Sequence, residues 1–140
     1  LAESPAIVQY LADLKPESGL APANGSMARY RLKEWLAYIG TEIHKSYSPL
    51  FNPATLDAVR ADRAAYLHRR YGLIEQTLAK QPYLLGEQFS VADIYLFVVT
   101  NWARMVKLDL SAFPALQAFQ ERIAARPAVQ AALRAEKLIK

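Results

Sequence analysis

GEQFSVADIYLF, residues 86–97, carries the clearest folding signal of this 140-residue chain, because it predicts the start of a buried helix. Ser90 can accept a hydrogen bond from the backbone amide of Asp93, and the Asp93 carboxylate can accept one from the amide of Ser90. Phe89, just before this capping box, can pack onto Ile94. An unsatisfied buried amide costs about 1–3 kcal/mol, so a helix inside a core needs such a cap. We therefore assign Ser90 and Asp93 a structural role.

The residues that follow the cap predict the centre of a helical bundle. From 90 to 106 the chain is apolar on nearly every side, which indicates a helix surrounded by other helices. Two shorter helices are expected after it, one over residues 114–125 and the last from Pro127. No segment keeps the alternating pattern of a half-buried strand. The predicted fold class is therefore all-α, a helical bundle.

Two longer helices are predicted upstream of the cap. The first covers residues 26–45 and is expected to end at SPLFNP, residues 48–53. The second is expected to start at Asn52-Pro53 and to last to about residue 80. The core candidates are Leu32, Leu36, Ile39 and Ile43 in the first helix, and Val59, Tyr66, Ile74 and Leu78 in the second.

The chain opens with a short amphipathic helix that is followed by a linker. Ser4 is a candidate N-cap, and Pro5 suits the first helical position. Residues 16–25 are rich in proline and glycine, which indicates the linker. Alone, the opening helix would expose Ile7, Val8 and Leu11. We therefore expect an upstream part of the protein, or a partner, to cover that face.

Composition and charge limit the function classes. With 53% hydrophobic and 21% charged residues, the chain reads as an ordinary globular domain. Its basic residues alternate with acidic ones, and its net charge of +4 is mild, so we expect no nucleic-acid partner. No apolar run approaches the ~20 residues that cross a bilayer, so we expect no membrane partner. Cysteine is absent, which excludes disulfides, zinc thiolates and a cysteine nucleophile within these residues and permits a reducing cytoplasm.

His44 shares one helix face with two small residues, Ala37 and Gly40, which predicts a groove beside the imidazole. In one interpretation, His44 caps carbonyls at the C-terminus of its helix, next to Lys45. In the other, the groove admits a thiol ligand and His44 points at its sulfur. Histidine can lower the pKa of a thiol at neutral pH, which makes the thiol a nucleophile. Spacing alone leaves both interpretations open.

The Glu3-Ser4 pair and several aromatic residues also have two interpretations. Ser4 can simply cap the first helix, or its hydroxyl and the free amides there can bind a carboxylate while Glu3 binds an ammonium group. Tyr95 and Trp102 lie seven residues apart on one helix face, so they belong either to the core or to the wall of an apolar pocket. His68 lies among arginines and is expected to be exposed. The candidates for the pocket are Tyr47, Pro49, Phe51, Tyr95 and Trp102.

The chain resembles the glutathione S-transferase family in four motifs. They occur in the family's order as ESPAIVQYLAD (3–13), EWLAYIGTEIHKSYSPLF (34–51), GEQFSVADIYLF (86–97) and ERIAARPAVQAAL (121–133). The second and the fourth resemble the bacterial beta class in particular. The resemblance implies a helical C-terminal domain over residues 26–140 and a linker over 16–25. Residues 1–15 would then be the last helix of a thioredoxin-like domain, whose first part lies upstream.

The resemblance also implies an enzyme. Glutathione would be the co-substrate, and its thiolate would attack a small hydrophobic electrophile or exchange with a disulfide. His44 and Lys45 would be the catalytic residues, and Glu3, Ser4 and His44 would bind glutathione. A cysteine of the upstream domain would complete the site, so the present chain would be inactive alone. The family further implies a cytoplasmic homodimer that needs no metal.

One residue departs from the beta-class pattern. That class often has an asparagine where this chain has Ala37. Ala37 predicts a wider groove and weaker glutathione binding. Two alternatives to the enzyme remain: a non-catalytic, transferase-like scaffold for protein–protein interaction, and a free-standing helical ligand-binding domain.

Overall fold

The structure is a computed structural model, and it describes residues 1–139. Within that range no β-strand occurs, and the single antiparallel bridge joins Tyr83 to Gly86, so the predicted all-α class is confirmed. The elements in chain order are α1 (Ser4–Asp13), a 3₁₀ turn (Pro16–Ser18), α2 (Met27–Tyr38), a π-helical turn (Ile39–His44), α3 (Lys45–Phe51), α4 (Asp57–Leu78), α5 (Val91–Val106), α6 (Pro114–Ala124) and α7 (Pro127–Ala135).

Helix α5 forms the centre of the bundle, as predicted, and packs against α1, α2, α3 and α6. Both reciprocal contacts of its capping box are present, from the Ser90 side chain to the Asp93 backbone and from the Asp93 side chain to the Ser90 backbone. The Asp93 carboxylate accepts hydrogen bonds from the amides of Ser90 at 2.8 Å and Leu84 at 2.9 Å. Burial raises the pKa of Asp93, and these hydrogen bonds oppose the rise. The cap therefore ties the loop before α5 to the helix itself.

Phe89 directly precedes this cap. Its ring contacts two side chains, Tyr83 and Arg126, that the sequence did not predict. The Tyr83 ring lies 5.5 Å from it between centroids, and the Arg126 guanidinium lies 3.7 Å from its centroid. Packing of Phe89 onto Ile94 stays a prediction.

The helix expected to end near Lys45 continues to Phe51, so that expectation is wrong. Helix α2 widens into the π-helical turn, and α3 follows without a break. Pro49 lies inside α3, where it cannot donate to the carbonyl four residues earlier. Helix α3 ends at Phe51, two residues after Pro49, and the backbone becomes extended at Asn52. The predicted core stripe is confirmed, since the side chains of Leu32, Leu36, Ile39 and Ile43 are all buried.

Helix α4 starts at Asp57 rather than at Asn52. The Asn52 side chain accepts a hydrogen bond from the Ala54 amide at 2.9 Å, which builds a turn before the helix. Among its core candidates Ile74 and Leu78 are buried, whereas Val59 is 43% exposed. The first half of α4 extends beyond the core, so Val59 and the half-buried Tyr66 were wrong candidates. The residues of α4 that are buried are Leu67, Tyr71, Ile74 and Leu78.

Helix α1 begins with an unusual backbone conformation. The N-cap is Glu3 rather than Ser4, and Ser4 is the first helical residue, with no capping hydrogen bond from a side chain. Glu3 has φ 67° and ψ 118°, a combination that L-residues rarely adopt. Ile7 and Leu11 are 36% and 57% exposed, as expected. The expectation was wrong for Val8, which is partly buried because it packs against the core.

Candidate active site

A cleft of about 400 Å³ opens where α1, α2, the π-helical turn and α5 meet. Its volume lies within the range of ordinary small-molecule sites. It brings together Glu3, His44, Lys45 and Tyr95, four residues that the sequence singled out from distant positions. The full lining is Glu3, Pro5, Leu36, Ala37, Gly40, Thr41, His44, Lys45, Ser48 and Tyr95.

The groove predicted beside His44 is present, and Gly40 lies where three elements approach one another. A Cβ at Gly40 would lie 3.6 Å from the Tyr95 hydroxyl and 3.9 Å from Cγ of Pro5. Both are ordinary van der Waals contacts, so one methyl group would fit but would narrow the cleft. Ala37 is exposed at its edge. The small residues therefore leave room for a ligand next to the imidazole.

The His44 ring is held by aromatic neighbours from α5. Its Nδ1 lies 2.6 Å from the Tyr95 hydroxyl oxygen, a hydrogen bond between the π-helical turn and α5. The Trp102 ring packs edge-on against it, with centroids 4.7 Å apart. The interpretation of His44 as a C-terminal cap is wrong, because the helix continues through α3. The bond to Tyr95 engages Nδ1 and leaves Nε2 for a ligand.

Burial and charge favour the neutral form of both groups in this hydrogen bond. Burial is the main effect that lowers the pKa of His44; Lys45 adds to it, and Glu3 opposes it. Burial also raises the pKa of Tyr95, and the Glu3 carboxylate raises it further. At neutral pH the cleft therefore holds an uncharged imidazole beside a protonated phenol.

The start of α1 offers fewer amide donors than expected. The amides of Ala6 and Ile7 both donate to the Glu3 carbonyl at 3.0 Å. Pro5 has no N–H, so the amide donor left in this turn is that of Ser4. The Glu3 side chain lines the cleft, and Ser4 is half-buried just outside the lining.

The five aromatic and proline candidates have different environments. Tyr95 lines the cleft, whereas Trp102 packs against the His44 ring and is not part of the lining. Phe51 lies 5.7 Å from Trp102 between ring centroids and is 43% exposed, but it is not part of the lining. Tyr47 is fully buried, and its hydroxyl hydrogen-bonds to that of Tyr71 at 2.8 Å, so it has no surface for a ligand. Pro49 lies within α3 and outside the lining.

Four lining residues escaped the sequence reasoning: Pro5, Leu36, Thr41 and Ser48. Thr41 and Ser48 follow Ala37 and His44 at intervals of four, the spacing of one helix face. For Thr41 this signal was available within the predicted helix, whereas for Ser48 it requires the helix to continue past Lys45. His68 is exposed, as predicted, and its Nε2 hydrogen-bonds to the Asp109 carbonyl at 2.6 Å.

Residues 1–139 contain neither a cluster of metal ligands nor a membrane-spanning helix. No group of three histidine, aspartate or glutamate side chains lies close enough there to hold a metal ion. No helix in that range combines the length and the apolar character needed to cross a membrane.

Known proteins match the chain in sequence and in structure. The glutathione S-transferase C-terminal domain family matches residues 38–127. Over 138 residues the chain is 42% identical to glutathione S-transferase GstA of Escherichia coli O157:H7, covering 99% of this chain and 69% of that relative.

Two solved structures extend this match. A sphingomonad glutathione S-transferase complexed with glutathione is 48% identical, with a TM-score of 0.93, covering 99% of this chain and 69% of that one. The bacterial beta class glutathione S-transferase of Sphingomonas chungbukensis is 44% identical, with a TM-score of 0.94 and the same two coverages of 99% and 69%. The chain therefore belongs to the glutathione S-transferases, a family of enzymes, and its resemblance to the bacterial beta class is confirmed.

Proposed function

We propose that the cleft binds glutathione and that His44 stabilises the thiolate of this co-substrate. The observation that carries the proposal is the 2.6 Å hydrogen bond between His44 Nδ1 and the Tyr95 hydroxyl, on the wall of a cleft that also contains Glu3 and Lys45. The complex of the sphingomonad relative with glutathione supports the choice of ligand.

The hydrogen bond defines the role of each ring nitrogen. A protonated Tyr95 donates to Nδ1 of a neutral imidazole, so the imidazole proton lies on Nε2. Nε2–H can then donate a hydrogen bond to the sulfur of a bound thiolate, which lowers the pKa of the thiol. The positive charge of Lys45 acts in the same direction. The thiol proton leaves to solvent, the sulfur lone pair forms the bond to an electrophilic carbon or a disulfide sulfur, and the leaving group departs with its electron pair.

The start of α1 suits the other end of glutathione, which carries both an ammonium and a carboxylate. We assign the ammonium to the Glu3 carboxylate and the carboxylate to the amide and hydroxyl of Ser4. The backbone of Glu3 supports this role. A non-glycine residue at φ 67° costs about 1–3 kcal/mol, and such strain concentrates at functional sites.

The arrangement of domains and subunits is part of the same proposal. Residues 1–15 would end a thioredoxin-like domain, residues 16–25 would form the linker, and residues 26–140 would form the helical domain. The exposed apolar face of α1 is the surface that the first domain would cover. A small hydrophobic electrophile would lie on the Trp102 side of His44. A homodimer and a cytoplasmic location stay predictions.

The test is conjugation of glutathione to an aryl halide by the full-length gene product. We expect His44→Ala to lower kcat/KM about 10-fold, because losing the hydrogen bond to the thiolate would raise the thiol pKa by about one unit and leave less of the thiol ionised. The matched control is His68→Ala, because His68 is the other histidine and is exposed on α4.

Each outcome decides between the interpretations. Equal activity of the two variants would return His44 to a structural role. A wild-type protein without activity or glutathione binding would favour the non-catalytic scaffold.

A further inference from the structure

We propose that Arg29 is a positioning residue for the glutathione site, because it holds α1 in the register that presents Glu3 and Ser4 to His44. The inference rests on the proposed function, and it concerns a residue that does not line the cleft. Arg29 lies in the first turn of α2, where the hydroxyl of the N-cap Ser26 accepts a hydrogen bond from its amide at 3.1 Å. The backbone of Arg29 is thus fixed before its side chain makes any contact.

The Arg29 side chain is buried and fully engaged. It is 2% exposed as a residue, an uncommon environment for arginine. Its two terminal nitrogens form a bidentate pair with the Asp13 carboxylate at 2.8 and 2.7 Å. One of them also donates to the carbonyl of Pro22, in the linker, at 3.1 Å. The guanidinium therefore joins the end of α1, the linker and the start of α2.

A second connection leads from Arg29 to the start of α1. Its Nε donates to Oε1 of Gln9 at 3.3 Å. The side-chain nitrogen Nε2 of Gln9 donates in turn to the backbone carbonyl of Pro5 at 2.8 Å. Pro5 directly follows Ser4 and lines the cleft. The network thus contacts both ends of α1, at Asp13 and at Pro5.

Apolar packing within this chain is a less directional constraint on α1. Ala12 is buried, and Val8 is partly buried against the core. A small, non-directional contact of this kind tolerates sliding or rotation of a helix. The bidentate pair with Asp13 and the link through Gln9 are directional, so they tolerate only one register. A shift of α1 by about 1 Å would take Glu3 and Ser4 out of hydrogen-bond distance of a ligand held at His44 and so weaken its binding.

Lysine cannot replace arginine in this network. A guanidinium presents five donors in a planar fork, whereas an ammonium is a single point of charge. Arg29→Lys would keep the charge that faces Asp13 but lose the bidentate geometry and the donor to Gln9. Arg29→Lys therefore separates the positioning role from charge alone.

The test compares Arg29→Lys and Gln9→Ala in the full-length gene product, with Arg31→Lys as the control. Arg31 lies on the same helix in an exposed pair with Glu34 at 2.8 Å. We expect Arg29→Lys to raise KM for glutathione about 10-fold, a typical loss for an outer-shell partner. We expect kcat at saturating glutathione, and KM for the aryl halide, to stay within about 2-fold.

The readouts separate this proposal from a simple loss of stability. Gln9→Ala leaves the Arg29–Asp13 pair in place but removes the acceptor of the Arg29 Nε–H, so it should raise KM for glutathione and lower Tm less than Arg29→Lys does. If both variants lower Tm but leave KM for glutathione at the wild-type value, Arg29 is only structural and the inference is overturned. Failure of the wild-type protein to bind glutathione would instead overturn the proposed function.

Discussion

At the scale of single residues, the chemistry of the cleft depends on the pairing of His44 with Tyr95. These residues are 51 positions apart in the sequence, and their side-chain atoms lie 2.6 Å apart in the fold. The sequence placed each of them in a candidate site, because each shares a helix face with other candidates. It could not show that one hydrogen-bonds to the other, since that depends on the rotation of two helices about their axes.

Tyr95→Phe tests this pairing. Removing the hydroxyl takes the donor from Nδ1, so the imidazole loses its preferred tautomer, and we expect kcat/KM to fall about 10–100-fold. The pKa of His44 should rise slightly, because the lost hydrogen bond favours the neutral ring, whereas burial, the main cause of the lowered pKa, remains. Activity assays and NMR titration of the His44 ring would measure the two effects. A Tyr95→Phe protein with wild-type kcat/KM and an unchanged His44 titration would refute the pairing.

The depressed pKa of His44 also sets the sign of its effect on stability. Between the folded and the unfolded pKa, the unfolded chain binds more protons than the folded one. The stability that neutral His44 contributes is therefore fully present above about pH 6.5. It is lost as the pH falls through the lower pKa that His44 has in the folded state. As the pH falls through this acidic range, the free energy of unfolding of a Tyr95→Phe protein should fall less than that of the wild type.

At the scale of elements, the site depends on a helix that does not stop where its sequence suggests. Pro49 and the stretch SPLFNP are ordinary breaking signals, yet α3 continues to Phe51. The proline removes one hydrogen bond of the helix, which runs on for two further residues, to Phe51. The continuation places Lys45 and Ser48 beside His44 on the cleft wall, where a helix ended at Lys45 would leave the chain free to turn away.

Gly40 offers a test of the cleft at the same scale. Glycine in a helix costs about 0.5–1 kcal/mol relative to alanine, so Gly40→Ala should raise the free energy of unfolding. The added methyl group would lie 3.6 Å from the Tyr95 hydroxyl and narrow the cleft, so glutathione should bind more weakly. Gly72→Ala is the matched control, since a Cβ at this position of α4 meets nothing within 4 Å.

Denaturant unfolding and calorimetric titration with glutathione would compare these two variants. Both should be more stable than the wild type, and only Gly40→Ala should bind glutathione more weakly. Equal glutathione affinities would place the ligand elsewhere.

At the scale of the whole molecule, sequence patterns predicted the all-α bundle, the central helix and its cap, because each follows from local chemistry. The Ser90–Asp93 capping box and the core stripe of α2 are examples. Contacts between distant residues were not predictable in this way. The carboxylate of Glu75 on α4 accepts hydrogen bonds from the backbone amides of Ala115 and Leu116 at 3.0 and 2.9 Å, and it thereby caps α6. The buried Arg29 pairs with the exposed Asp13 across the linker, a contact that no periodicity reveals.

The central claim is that the assembled cleft ionises a bound thiol, and the most direct measurement is the pKa of the glutathione thiol in its complex with the full-length protein. Ultraviolet absorbance of the thiolate, followed against pH, reports it. For the wild type we expect a value well below the ~8.5 of a free thiol. For His44→Ala we expect the value to rise by about one unit, equivalent to ~1.4 kcal/mol of lost thiolate stabilisation. The same thiol pKa in both proteins would contradict the account.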